Sequence, residues 1–585
     1  MAADFRGRAA IRPAAVAMHL PDRCAAMLAG MKMTPPWLAA AAAAAATAAL
    51  LQACGGDGGG ETPAPPAAPP PALPAGRVSA ASPVDAACAV GGTGTVYINA
   101  EVEPMLARAT GNGEHLVAVW QQDRWSNGGA RAMVSATSLD GGRSWTRVLH
   151  AMSRCGGAAA GSAGDFERAS DPWVDIGSDG TVHVMALAIS GESFTGSSVS
   201  AMLASRSTDG GLSFSPPQVL ARDAGAAFFN DKNTLTVDTL DASHVYAVWD
   251  RLEASGDGPT LLARSTDAGL NWQPVREIYR PAAAPGGSAQ TIGNRIVVLP
   301  GGPSRGVLVN VFTEIQVSGA VVNNRVRVIR STDQGSSWGA PVTVAEHRGV
   351  GTRDTATGNI IRDGSIIPAV AAAADGTLWL AWQDSRFSGG QHDGIALSRS
   401  TDGGLSWSTP VAANGSPAVA AFTPTLQVRA DGLLAVMYLD LRPNTPATDT
   451  LLAAAWLATT RDGAAFAETV VWNPFDMTHA PNARGLFLGD YFGLVSVGNE
   501  FVPLLALPST DTSNRTDTYL LRVLPSAAAR PQPLASGRVQ ALSATEEREF
   551  RRRQAAFTQR VMERRVANWG ARVGWRTPDA APARR

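Results

Sequence analysis

Several stretches of this chain end in an acid followed closely by an arginine. They are Gln121-Gln122-Asp123-Arg124, Asp250-Arg251, Asp384-Ser385-Arg386 and Asp440-Leu441-Arg442, following Trp120, Trp249, Trp382 and Tyr438. Glu314 takes a related position after Val311-Phe312-Thr313. A guanidinium fork matches a carboxylate, so arginines brought together from several such stretches would hold an anion. The plainer reading is a structural ion pair made anew at each stretch.

A second polar set leads into what read as inner strands: Asp171-Pro172-Trp173, Asn230-Asp231-Lys232-Asn233, Asn294-Arg295 and Gly489-Asp490-Tyr491, with Arg484 a few residues before the last. Acidic side chains here are candidates for general acid or base work, the chemistry of glycoside cleavage. Tyr491 is a candidate nucleophile if an acidic partner such as Asp490 or Glu314 lowers its phenol pKa. His183, His392 and His479 share no ligand spacing and read as incidental. No cofactor is expected; the polar turns could hold a structural calcium through Asp and carbonyl oxygens, but none shows a complete loop pattern.

The elements that must position these groups come from a repeated phrase, Ser-x-Asp-x-Gly-x-Ser-Trp. Its best copies run from Ser138 to Trp145, Ser331 to Trp338 and Ser400 to Trp407; looser ones start at Ser207, Ser265 and Thr460. Aspartate and glycine make a tight turn, glycine supplying positive φ. The closing Trp or Phe begins the next strand and is expected to bury its ring between sheets. Alternating runs flank each copy, as in Ile395-Ala396-Leu397-Ser398, so each is a β-hairpin. The regularity of these aspartates marks them as structural. A second hairpin, with Asp-Gly at its turn, precedes several copies, as in Ala369–Trp382. Each repeat is then a small antiparallel sheet of four strands, and repeats of this size predict an all-β β-propeller. Strand pairs number seven against six turn phrases, which favours seven blades over six. Thr95–Ala100 is the expected missing strand of the last blade, closing the ring and removing free edges.

Lys plus Arg (49) nearly balances Asp plus Glu (50) over 585 residues, which gives no sign of a nucleic-acid partner. Residues 1–53 read as a prepeptide. Lys32, the apolar run Trp37–Leu51 and Ala53-Cys54 resemble a lipoprotein signal, with Met31 an alternative start and Cys54 the lipidated residue. An ordinary secretory signal or a membrane anchor are the alternatives. Residues 54–89 form a Pro/Ala/Gly-rich tether, 90–527 the propeller and 528–585 a basic tail. In that tail Ser543 and Glu546 make a capping box for a helix from Glu546 to Asn568, set to pack on the propeller, touch anionic lipid or stand in solvent. Cys88 and Cys155 are left as a pair for an oxidising compartment. The expected protein is a monomer exported to the bacterial cell envelope, at the outer membrane or cell surface.

On its six turn phrases, residues 90–525 resemble the bacterial sialidase-like superfamily with Asp-box (BNR) repeats. The resemblance implies an exported glycosidase cleaving sialic acid or another acidic sugar from a glycan or glycoprotein. It implies arginines on the substrate carboxylate, here Arg251, Arg386, Arg442 and Arg484. It implies a Tyr–Glu nucleophile pair, here Tyr491 and Glu314, and an aspartate acid/base, here Asp171 or Asp231, with Asp490 beside them. The family's Arg-Ile-Pro signature has no counterpart; Pro104-Met105-Leu106-Ala107-Arg108 stands in its region. The same repeats occur in non-catalytic propellers, so a surface module binding glycan or protein is the alternative function.

Overall fold

The computed structural model of the protein describes residues 76–88, 90, 93–525, 532–533, 539 and 541–565. Cys54 and the lipoprotein-like signal lie outside them.

The fold is all-β, with one long helix near the end of the chain. Four-stranded antiparallel groups follow one another. The first runs Val96–Arg108, Leu116–Trp125, Ala130–Ser138 and Thr146–His150, each strand paired to the next. Further groups of the same order span 168–224, 228–279, 288–346, 369–412 and 421–476. After these come Gly493–Val497, Glu500–Pro508 and Thr516–Leu520. The strand that completes this last group is Gly76–Arg77, paired antiparallel with Tyr519 and Leu520. It takes the place expected for Thr95–Ala100. Those residues instead open the innermost strand of the first group, where Ala100 bridges Thr516. The arrangement is propeller-like.

The turn phrases explain the repeat. Asp140 Oδ1 accepts from the backbone N–H groups of Arg143 (3.0 Å) and Ser144 (2.9 Å) and from Ser138 Oγ (2.8 Å), while Ser138 Oγ accepts from Gly142 N (2.7 Å). Gly142 has φ +93, which a side chain would resist. Asp209, Asp333 and Asp402 repeat the pattern. Each turn also receives a donor from the neighbouring group. Arg264 reaches the Gln334 carbonyl (2.6 Å), Arg330 that of Gly403 (2.7 Å) and His115 that of Gly210 (2.8 Å). Arg522, from the last group, reaches Gly141 in the first (2.9 Å), so the two ends of the repeat meet.

The phrase-ending Trp145, Trp272, Trp338 and Trp407 are only half-buried. They do not begin the outermost strands but precede them, since those strands start at Thr146, Arg276, Val342 and Val411. Among the described residues the fully buried tryptophans are Trp120, Trp249 and Trp382, on second strands with sheet on both sides. Their indole N–H groups are satisfied inside the core by Gln122, Asn230 and Asp384. Cys88 and Cys155 are disulfide-bonded, joining the incoming chain to the loop after the first group.

The helix, α1, spans Ala544–Arg565. Ser543 and Glu546 cap it reciprocally, the Glu546 carboxylate accepting from Ser543 N (2.8 Å). Phe550, Phe557, Val561 and Met562 are buried, and the last three pack with Ile292, Ile315, Val322 and Ile366. Asn324 donates to Thr558 (3.0 Å) and Gln554 to the His347 carbonyl (2.7 Å). No helix among the described residues is long and apolar enough to cross a membrane.

Candidate active site at the mouth of the inner strands

The innermost strands share an irregularity. Pairing to the second strand slips between Val102 and Met105, Ser170 and Trp173, Asp231 and Thr234, Ile292 and Arg295, and Phe422 and Thr425. Each slip is a β-bulge, and each holds one residue at positive φ: Glu103 (53°), Asp171 (50°), Lys232 (46°), Gly293 (69°) and Thr423 (51°). A side chain resists this backbone region, and such strain clusters at functional sites. Here it accompanies the convergence of side chains from successive strands on one mouth.

Three of these residues meet there. Lys232 Nζ lies 3.0 Å from Glu103 Oε1, 3.0 Å from Asp171 Oδ1 and 2.7 Å from Asp490 Oδ2. Asp490 also receives Arg362 Nη2 at 2.9 Å. Arg362 is placed by a short parallel pairing of Ile361–Arg362 with Leu486–Phe487. Its guanidinium and that of Arg124 both lie over the Phe487 ring, at 4.2 and 5.0 Å. Two glycines let the Asp490 segment come this close. A Cβ on Gly489 would lie 3.1 Å from the Glu103 backbone, and one on Gly364 would lie 2.0 Å from the Asp490 carbonyl. A cavity of about 500 Å³ opens at this mouth, lined by Asp171, Lys232, Arg362, Arg484, Asp490 and Arg564 among others.

The three carboxyls do not share one protonation state. Burial, with the Asp171 and Asp490 charges, pushes Glu103 up to about 8 against the pull of Lys232. Burial also opposes ionisation of Asp171, but the Lys232 charge and hydrogen bond, with a further hydrogen bond from Glu103, hold it below the usual range. Burial of Asp490 is outweighed by Arg362 and Lys232, which keep it far below that range. Glu103 thus holds its proton more tightly than its two neighbours. Environments that push neighbouring acids apart are how acid and base roles are divided in an active site.

The other sequence candidates lie as follows. Tyr491 is next to the cluster, edge-on to Trp173 at 5.3 Å, but its hydroxyl donates to the Pro172 carbonyl (3.1 Å). Burial and the surrounding carboxylates raise its phenol pKa, the reverse of the lowering expected from acidic neighbours, because anions disfavour a phenolate. Glu314 does not join it. Glu314 accepts from Tyr279 (2.5 Å) and Arg327 (2.7 Å) in a separate buried network. Asp231 lines the mouth and pairs with Arg565 (2.8 Å). Arg386 is held by Asp384 (2.8 Å), and Arg442 by Asp440 and Glu468 (3.0 Å), the local ion pairs of the plainer reading. Arg251 stacks on Phe228 at 4.4 Å. Arg484 lines the cavity, donating to the Arg564 carbonyl (2.5 Å).

Sequence reasoning passed over Glu103, Lys232 and Arg362 as site residues. A signal for the first existed: Glu103-Pro104 matches Asp171-Pro172 and Thr423-Pro424 at the same bulge. Nothing local marks Arg362.

No family model matches this chain, and no curated protein does. Solved structures give distant likenesses. A Penicillium chrysogenum α-L-arabinanase is 13% identical, covering 74% of this chain and 98% of its own, with TM-score 0.40. A protein of unknown function from Dyadobacter fermentans is 13% identical, covering 73% and 97%, with TM-score 0.39. A leech intramolecular trans-sialidase is 11% identical, covering 77% and 94%, with TM-score 0.37. TM-scores this low carry no inference about the reaction.

Proposed function

We propose that the protein is a glycoside hydrolase that cleaves an acidic sugar from a glycan at this mouth. The observation that carries the reading is the convergence of Glu103, Asp171 and Asp490 on Lys232 at the cavity mouth, in settings that hold their protons unequally. Asp171 lines the cavity and Glu103 lies behind it, hydrogen-bonded to it. A proton held on Glu103 passes through Asp171 to the leaving glycosidic oxygen as the glycosidic bond breaks; a water then bonds to the sugar carbon, and the proton it sheds returns through Asp171 to Glu103. Asp490 supplies negative charge opposite a developing oxocarbenium ion. Arg362, Arg484 and Arg564 face the cavity and suit the sugar's acid group. Sialic acid is one such sugar. Tyr491 is not needed as nucleophile in this scheme.

The same reading takes the strand groups as seven blades, closed by Gly76–Arg77. It takes Cys54 as a lipid anchor, followed by a tether that holds a monomeric propeller off the envelope. Labelling with a radioactive fatty acid, lost in Cys54→Ala, tests the anchor. The activity is tested by incubating the purified chain with a fluorogenic sialoside and with other acidic and neutral glycosides. Release of an acidic sugar that is lost in Asp171→Asn is the expected result. Failure on every glycoside by a folded protein favours the second reading, a non-catalytic glycan-binding propeller. The closed-over position of α1 and the tied Tyr491 hydroxyl are what speak for it.

A further inference from the structure

The last turn of α1 reaches into the mouth, and its final described residue is seated in a built pocket. Arg565 Nε donates to Asp231 Oδ2 at 2.8 Å, Nη1 donates to Gln290 Oε1 at 2.8 Å, and Nη2 pairs with Asp250. The Asp250 and Gln290 side chains are buried almost completely, and the Arg565 side chain is only 6% exposed. Asp231 immediately precedes Lys232, so one bulge sends adjacent side chains to the carboxyl cluster and to this pocket. Asp231 and Arg565 line the same cavity as Asp171 and Asp490.

Two features separate this pocket from an ordinary structural ion pair. Asp250 Oδ1 is buried without a hydrogen-bond partner among the described residues, so Arg565 leaves an acceptor in the pocket unfilled. The helix also has docking contacts besides Arg565. Among the described residues its apolar anchors run to Met562, the polar contacts of Gln554 and Thr558 lie two to three turns before Arg565, and Arg484 holds the Arg564 carbonyl (2.5 Å).

We propose that Asp231, Asp250 and Gln290 form a binding site for a cationic N–H donor, a guanidinium or ammonium group carried by a ligand in the mouth. Arg565 fills it as a tethered occupant. Arg565 and such a ligand then compete for the same acceptors.

The site is tested by chemical rescue in the full chain. Arg565→Ala lowers the Tm, because two acids lose their partner. Millimolar N-ethylguanidinium, or glucosamine as the ammonium probe, raises that Tm toward the wild-type value, and the stronger of the two identifies the preferred cation. N-ethylurea, which has the shape without the charge, leaves it unchanged, and the wild-type Tm moves little with any probe. Arg565→Ala/Asp250→Asn abolishes the rescue. No rescue by either cation, or rescue that persists in the double variant, overturns the proposal. Where Arg565→Ala does not fold, Arg565→Gln keeps most of the stem and is read in the same way. The readout is binding and needs no turnover, so a failed glycosidase assay leaves this result standing.

Discussion

Two positions recur around this fold, and they differ in what repeats. At the turn phrases the residue repeats: Asp140, Asp209, Asp267, Asp333 and Asp402 each accept from the backbone N–H four residues on, and Asp462 in the loosest copy from those two and three residues on. At the inner-strand bulges only the geometry repeats. Positive φ is kept while the side chain changes from Glu103 to Asp171, Lys232, Gly293 and Thr423. A role that each sheet needs for itself fixes the residue. A role shared among sheets, one group from each, fixes the backbone and leaves the side chains free to differ. Chemistry belongs at the second kind of position.

That contrast can be broken most directly at Asp171. Asp171→Asn keeps the shape and removes the charge; turnover in a glycoside assay is expected to fall by about 10²–10⁴-fold, the range for an acid–base group. An unchanged kcat would take the bulges out of the chemistry. Lys232→Met comes next. It strips three buried carboxyls of their common cation, and removing one partner of a buried pair costs roughly 3–5 kcal/mol. Urea melts check this, and the loss is expected to shrink at low pH, where the acids are neutral.

The pH profile is a finer test. Glu103 must hold a proton, so activity is expected to fall as pH rises through about 8. The stability sign agrees. A carboxyl raised in the folded state from its ordinary 4.5 binds its proton more tightly there than when unfolded. Its favourable contribution is complete below the unfolded pKa and is lost as pH rises through the folded value. Glu103→Gln is expected to remove that alkaline dependence from the melting curves. The smallest effect is expected at the turns. Asp402→Ala should lower Tm by a few degrees and leave kcat within about twofold, since Asp402 serves its own hairpin.

Much of the fold was legible in the chain. Alternating runs set the strands, Asp-Gly and the Ser-x-Asp-x-Gly phrase set the turns, and Ser543 with Glu546 set the start of α1. The closing strand was not legible. Gly76–Arg77 has two residues and no alternation, and it follows a stretch rich in proline and alanine, so only its partner Thr516–Leu520 defines it. Of the site, Asp171, Asp231 and Asp490 stood out because polar residues interrupt apolar strands. Glu103 and Arg362 did not, and Glu314 and Tyr491, which the sequence allowed to be partners, belong to separate networks.

The sequence alone determined the repeat, its hairpins and the capped helix, because side-chain alternation, glycine backbone freedom and capping act over a few residues. Only the tertiary structure decided that Glu103, Asp171, Lys232 and Asp490 share one cluster and that Arg565 seats beside it. Those contacts join residues as far apart as Lys232 and Asp490, or Asp231 and Arg565. They depend on the last sheet meeting the first, on bulges that turn each side chain to the mouth, and on glycines that admit the close approach. No local pattern records that convergence.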